Sequence, residues 1–262
     1  MSSSNTLLKG KKVLVIGGSS GKVEYLCHWV TCIGRSVAAA ALSNGASVVI
    51  GSSSKAKVDA AIDLLNKEMQ KVGNEGVTVS GEAFDMNDFT ALKKFLIKEA
   101  PFDHFVTTAG EAPRGLGSSP SADMDIREQM KDTMDLRYWA VLNAANIIHK
   151  NDLIRPGGSI TMTIGSLQKR PIPGVGFALG DSGAVETATR SLAVDMKPLR
   201  INTISPGVVD TELVRAFPEA VREHIYEIIR QKSLVGHVGT PEEIAEAYIF
   251  AMKVQARPQG RN

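Results

Sequence analysis

Two small-residue clusters in this chain are suited to holding phosphate. Lys12-Val13-Leu14-Val15-Ile16 runs into Gly17-Gly18-Ser19-Ser20-Gly21, and an Ala-rich stretch from Ile33-Gly34 to Leu42 follows eleven residues after that turn. Glycines in such a turn let backbone amides come close to a pyrophosphate at the start of the next helix. Gly17, Ser19, Ser20, Gly21, Ile33 and Gly34 are the residues assigned to that task. The second cluster, Ser52-Ser53-Ser54-Lys55, closes the next apolar run. A site for NAD usually carries an Asp or Glu there, to bind the ribose hydroxyls. Three hydroxyls and a lysine suit a 2′-phosphate instead, with Lys55 as its counter-charge, so the cofactor expected is NADP. The other use for such serines is to turn the chain and cap the following helix.

These clusters need elements to position them. The Val- and Ile-rich run before Gly17 has the pattern of a buried parallel strand, the stretch from Ile33 reads as a helix stopped by Asn44-Gly45, and Ala46 to Ile50 is a second strand. Together they form a βαβ unit, the context a glycine turn requires. Further along, the spacing predicts a helix over Val58–Val72, a strand over Val77–Val79 and a helix from Phe89, which Asp85 would cap. A strand over Asp103–Gly110 precedes a Gly-, Pro- and Ser-rich loop from Glu111 to Asp125. A long helix over Met130–Ile148, a strand over Ser159–Ser166, a helix from Gly183 and a sixth strand from Arg200 complete the pattern. Thr240-Pro241-Glu242-Glu243 opens the last helix, which ends at Met252. Strands alternating with helices predict an α/β fold: one Rossmann-type domain over residues 1–262, with a doubly wound parallel sheet and helices on both faces.

With 262 residues and 43% apolar content, the chain can bury one large core, and its net charge of +2 argues for neither nucleic acid nor membrane partners. No apolar run has the length of a membrane span, and Met1-Ser2-Ser3-Ser4-Asn5 is no signal peptide, so a cytoplasmic protein is expected. Cys27, His28 and Cys32 lack a fourth ligand for zinc, and no metal site is expected.

Without Lys22 to Cys32, the first strand and turn read Val-Leu-Val-Ile-Gly-Gly-Ser-Ser-Gly-Ile-Gly-Arg. That segment resembles the cofactor turn of the short-chain dehydrogenase/reductase family, and the likeness extends to Ala109-Gly110, the helix from Gly183 and Pro206-Gly207. The missing Tyr and Lys, together with the stretch from Leu192 to Asn202, resemble an atypical fungal group of that family associated with secondary metabolism. The resemblance implies that Asp85 and Met86 lie beside the adenine, that Ala109 and Gly110 line the cofactor, and that Val209 and Thr211 hold the nicotinamide carboxamide. It also implies a substrate-lid helix over residues 218–232, a small-molecule substrate, and assembly as a homodimer or homotetramer.

Three departures stand out. Residues 22–32 interrupt the glycine pattern, and excising them restores it, so the functional protein is expected to lack them. Lys253 to Asn262 is polar and patternless where the family places its last strand. Most important, the family's Tyr-x-x-x-Lys is replaced, with Ala178 and Ser182 at its two key positions. Ser166 stands where the family has its catalytic serine. Arg137 and Asp181 are the charged candidates remaining near the cleft, although Asp181 also suits the N-cap of the helix from Gly183.

Three functions follow. The first is an NADP(H)-dependent oxidoreductase whose acceptor is already cationic, an iminium ion for example, and so needs no phenol to protonate an oxyanion. The second is a cofactor-holding scaffold or a cyclase without net redox change. The third is an inactive pseudoenzyme or mis-spliced product.

Overall fold

The computed structural model describes residues 8–17, 32–72, 76–110, 122–215 and 218–253. Within them six parallel strands form one sheet: β1 (Lys12–Ile16), β2 (Ser47–Ser52), β3 (Val79–Ala83), β4 (Phe102–Thr107), β5 (Ile154–Thr163) and β6 (Arg200–Ile204). Their order is β3-β2-β1-β4-β5-β6. The order reverses between β1 and β4, and a crevice opens at the carboxyl ends of strands on either side of such a reversal.

Alternation along β1 explains the two layers. Val13 and Val15 face one side, where they pack with Val37, Ala41, Leu65 and Tyr248 of the helices α1 (Cys32–Ser43), α2 (Lys55–Val72) and α9 (Pro241–Lys253). Leu14 and Ile16 face the other side and pack with Phe95 of α3 (Phe89–Glu99) and Ala144 of α5 (Ala140–Lys150). The strand is buried on both faces, which is why it reads as an unbroken apolar run. The doubly wound parallel sheet expected from the sequence is the fold observed.

Several boundaries differ. β3 spans Val79–Ala83 rather than Val77–Val79, because its ladder with β2 extends through polar Ser80, Gly81 and Glu82 at the exposed edge of the sheet. The long helix begins earlier, with Asp125 capping α4 (Ile126–Met134), and a π-helical turn over Asp135–Trp139 separates it from α5. β5 starts at Ile154, and Ser166 opens a short 3₁₀ turn beyond its end. The cap of α3 is Asp88, while Asp85 accepts a bond from the Asn87 amide. α6 (Gly180–Asp195) starts before Gly183, with no side-chain cap at Leu179. Asp181 therefore lies inside its first turn and is not the N-cap. Thr240 and Glu243 form a capping box at the head of α9, each side chain bonding the other's amide. Two further helices, α7 (Glu212–Arg215) and α8 (Glu219–Lys232), follow β6, and α8 falls where the lid helix was expected. No helix among the described residues is long and apolar enough to cross a membrane.

Candidate active site

The crevice starts where β1 and β4 end. The Thr108 amide donates to the Ile16 carbonyl at 2.8 Å, and the Gly17 amide to the Gly51 carbonyl at 3.1 Å, so three strand ends are tied together. A β-carbon on Gly17 would come within 2.8 Å of Thr108 Oγ1. Only a bare backbone fits there unless Thr108 moves. Thr108 Oγ1 is buried without a hydrogen-bond partner among the described residues. Ser19, Ser20 and Gly21 lie outside the described residues, as does the insert up to Thr31. Ile33 and Gly34 form the first turn of α1, which starts at Cys32.

At the end of β2, Ser52 is buried, and its hydroxyl also lacks a partner among the described residues. A buried hydroxyl without a partner is costly, and a ligand oxygen is one way to satisfy it. Ser53 is exposed, Ser54 half-buried, and Lys55 exposed at the head of α2. Lys55 Nζ pairs with both carboxylate oxygens of Asp59, at 2.9 and 2.7 Å, one helical turn away. Both partners are well exposed, so the pair is weak and a phosphate could compete for the lysine. The Phe84 amide donates to the Ser52 carbonyl at 2.7 Å, which places the turn holding Asp85 and Met86 beside these serines. Asp85 is exposed there, whereas Met86 is buried in the core. The hydroxyl set at β2 and the bare backbone at Gly17 fit a nicotinamide dinucleotide.

On the opposite side of the crevice, three predicted residues from separate parts of the chain meet. Ala109 is buried and Gly110 follows it, and a β-carbon on Gly110 would come within 2.7 Å of the Arg137 guanidinium. Arg137 projects from the π-helical turn, a local widening often found at functional sites. Its Nε lies 3.3 Å from Asp181 Oδ2, with the two side chains only 17% and 5% exposed. Asp181 Oδ1 also accepts from the Ser182 amide at 2.6 Å. Ala178 and Ser182, the positions at which the resemblance leads one to expect Tyr and Lys, are both buried. The charged pair therefore stands beside the end of β4. It can orient a polar substrate and stabilise charge, but it has no hydroxyl of its own to donate.

Ser166 belongs to a separate corner. Its amide donates to the Pro206 carbonyl at 2.8 Å, and its hydroxyl lies 3.8 Å from where a β-carbon on Gly207 would be. Val209 and Thr211 are buried further along that loop, and Val209 forms a bridge with Gly239. Between them, Asp210 accepts from Arg215 and from the Tyr226 hydroxyl. Arg215 beside it holds the Asp210 carboxyl below its ordinary value, and the tyrosine adds to that effect. Thr108, Asp210 and Tyr226 were not among the residues selected from the sequence. Thr108 carried one signal, as a hydroxyl where the resembling family has an asparagine. Asp210 and Tyr226 carried none, because they meet only in the folded chain.

Known proteins resemble this chain in sequence and in fold. A family model described as Enoyl-(Acyl carrier protein) reductase matches residues 30–257. The short-chain dehydrogenase/reductase malC of Malbranchea aurantiaca is 34% identical over 257 residues, 96% of this chain and 92% of the relative. ATR9 of Stachybotrys chlorohalonatus, also a short-chain dehydrogenase/reductase, is 31% identical over 94% of this chain and 92% of its own. Among solved structures, the MalC reductase/Diels-Alderase of Malbranchea aurantiaca superposes with a TM-score of 0.80 at 30% identity, covering 95% of this chain and 93% of that one. A small-chain dehydrogenase in complex with NADPH gives 0.67 at 26% identity, over 92% and 90%. Likeness of this extent, carried on a parallel sheet with a glycine at the end of its first strand, means that the chain belongs to the short-chain dehydrogenase/reductase family.

Proposed function

We propose that this protein is an NADPH-dependent reductase of a small organic acceptor that is already cationic, such as an iminium ion. The observation that carries the proposal is the buried Arg137–Asp181 pair, next to Gly110 and to an acid position filled by Ala178. Ordinary ketone reduction develops an oxyanion, and a placed acid is typically worth roughly 10²- to 10⁴-fold in rate. An iminium acceptor becomes a neutral amine on gaining a hydride, so it needs no proton from the protein.

In this proposal Gly17, Ser19, Ser20, Gly21, Ile33 and Gly34 cradle the pyrophosphate, and Ser52, Ser53, Ser54 and Lys55 hold the 2′-phosphate. Asp85 and Met86 flank the adenine, Ala109 and Gly110 line the ribose side, and Val209 and Thr211 hold the carboxamide. NADPH supplies the hydride when bound. The Asp181 carboxylate faces the acceptor's positive charge, Arg137 fixes that carboxylate and donates to a substrate oxygen, and Ser166 offers one more hydroxyl. Such a site works by proximity and electrostatics.

A second function, cyclisation guided by the shape of the same cleft, is favoured by the reductase/Diels-Alderase nature of the Malbranchea relative. NADPH oxidation assayed with a cyclic imine and with a small ketone tests the first. The imine is expected to be the better substrate. Ketone turnover at an ordinary dehydrogenase rate would overturn the proposal, and product formation without NADPH consumption would favour cyclisation.

A further inference from the structure

Helix α8 is fastened to the molecule in an unusual way. Of its fourteen residues, Tyr226 is the one that is buried. Among the described residues, its principal neighbouring element is the short helix α7, directly before it in the chain. Beyond its end, Leu234 and Val235 stand in solvent. A helix with so few buried contacts belongs to the part of a fold that opens locally at low cost.

One carboxylate ties it to the loop after β6. The Tyr226 hydroxyl donates to Asp210 Oδ1 at 2.5 Å. Arg215, from α7, donates to the same group through Nε and Nη2, each at 2.8 Å. Asp210 is itself fixed, since its amide donates to the Gly239 carbonyl at 2.9 Å and its neighbour Val209 bridges Gly239. The Arg230 guanidinium lies 5.9 Å from the centre of the Tyr226 ring, which adds a cation–π contact on the helix side. Thus α7 and α8 are both tied to a side chain that sits between Val209 and Thr211.

We infer that Tyr226 and Asp210 form a latch, which holds α8 against the Val209–Thr211 loop and whose release sets how fast cofactor leaves. Tyr226 is on this view a positioning residue. It does not replace the missing acid: burial and the neighbouring Asp210 push its phenol up to about 12, and its proton is already committed to that carboxylate. The link to cofactor release rests on the role proposed for Val209 and Thr211, whereas the latch itself does not.

Hydrogen exchange of the full chain without cofactor reads the latch directly. Tyr226→Phe keeps the buried ring and removes the bond, and Asp210→Ala removes it from the other end. A hydrogen bond to a charged group corresponds to roughly a 10- to 100-fold change in an opening equilibrium. Amides of α8 are expected to exchange faster by about that factor in both variants, while those of α5 stay unchanged. Stopped-flow dissociation of NADPH is expected to quicken in parallel. Unchanged exchange in α8 would overturn the latch. Faster exchange with an unchanged dissociation rate would overturn its control of release. A chain that binds no NADPH at all would sink the proposed function, and the exchange measurement would still decide the latch.

Discussion

Arg137 Nε and Asp181 Oδ2 lie 3.3 Å apart, joining the π-helical turn to the first turn of α6. Both side chains have been withdrawn from water, which costs several kcal/mol per ion and is seldom fully recovered by their attraction. A hydrophobic pair of similar volume would do as well for stability. The pair stands against Gly110, with Asp181 one residue from Ser182, and in the proposed function it handles charge.

Removing one partner separates these roles. Asp181→Asn should leave the Arg137 charge poorly compensated and cost about 3–5 kcal/mol of stability. Turnover of a cationic acceptor should fall by roughly 10²- to 10³-fold, the usual loss for one placed electrostatic group. The double variant Arg137→Met with Asp181→Leu should regain stability without regaining turnover. Urea unfolding beside NADPH-oxidation kinetics checks both. Equal turnover in Asp181→Asn and the parent would remove the carboxylate from the site.

Cofactor choice should lie at the end of β2. Ser52→Asp places a carboxylate where a 2′-phosphate would bind, so NADPH should bind roughly 10- to 100-fold more weakly and NADH should gain. Lys55→Ala should weaken NADPH binding alone, because its present partner Asp59 forms only an exposed pair. Titration calorimetry with both cofactors measures the change. Retained preference for NADPH in Ser52→Asp would mean that the phosphate is held elsewhere.

How much the sequence revealed depended on burial. β1 and β2 were legible because strands covered on both faces read as runs of Val, Leu and Ile. β3 was misplaced because an edge strand with Ser80, Gly81 and Glu82 carries no such run. The π-helical turn was invisible, since its residues keep an ordinary helical pattern on both sides. Asp181 was misread for a related reason. α6 starts without a capping side chain, so Asp181 took the place of the absent cap in the pattern, and its partner Arg137 lies on another element. Ser52 was legible as a candidate, but only the fold shows its hydroxyl buried without a partner among the described residues.

The interruption at residues 22–32 should weaken the cofactor site. Added loop length is only a small burden, about 0.6 kcal/mol per doubling. Separation of Gly21 from Gly34 is the larger one, since the amides of the glycine turn and those that open α1 at Cys32 must meet on one pyrophosphate. Excising Lys22 to Cys32 should therefore tighten NADPH binding at least tenfold in calorimetry. In protein from the native source, trypsin should release a peptide running from Val13 to Gly21 and straight on to Ile33-Gly34-Arg35. Recovery of a peptide from Val23 to Arg35 would show that the interruption is retained.

The last prediction concerns acid. His104 in β4 is buried, with Nδ1 at 2.9 Å from Ser159 Oγ. Burial depresses its imidazole to about 4, Arg200 and Lys11 act in the same direction, and Asp103 opposes them. In the unfolded chain the same group titrates near its ordinary 6.5. Between these values the unfolded state binds a proton that the native state refuses, so stability must rise with pH across that window. It is fully present above 6.5 and is lost as pH falls towards 4. From pH 7 to pH 5 this residue alone should remove about 2 kcal/mol. Asp103 does not confuse the measurement. Burial pushes its carboxyl up, but the Lys12 amide, Lys11 and Arg155 outweigh that and hold it below its ordinary value, so it titrates at lower pH. His104→Asn should be less stable at pH 7, because Ser159 loses a well-fitted partner, yet its stability should fall less between pH 7 and pH 5. Urea unfolding of both proteins at the two pH values provides the comparison. An identical drop in the two would show that the acid sensitivity arises at another group.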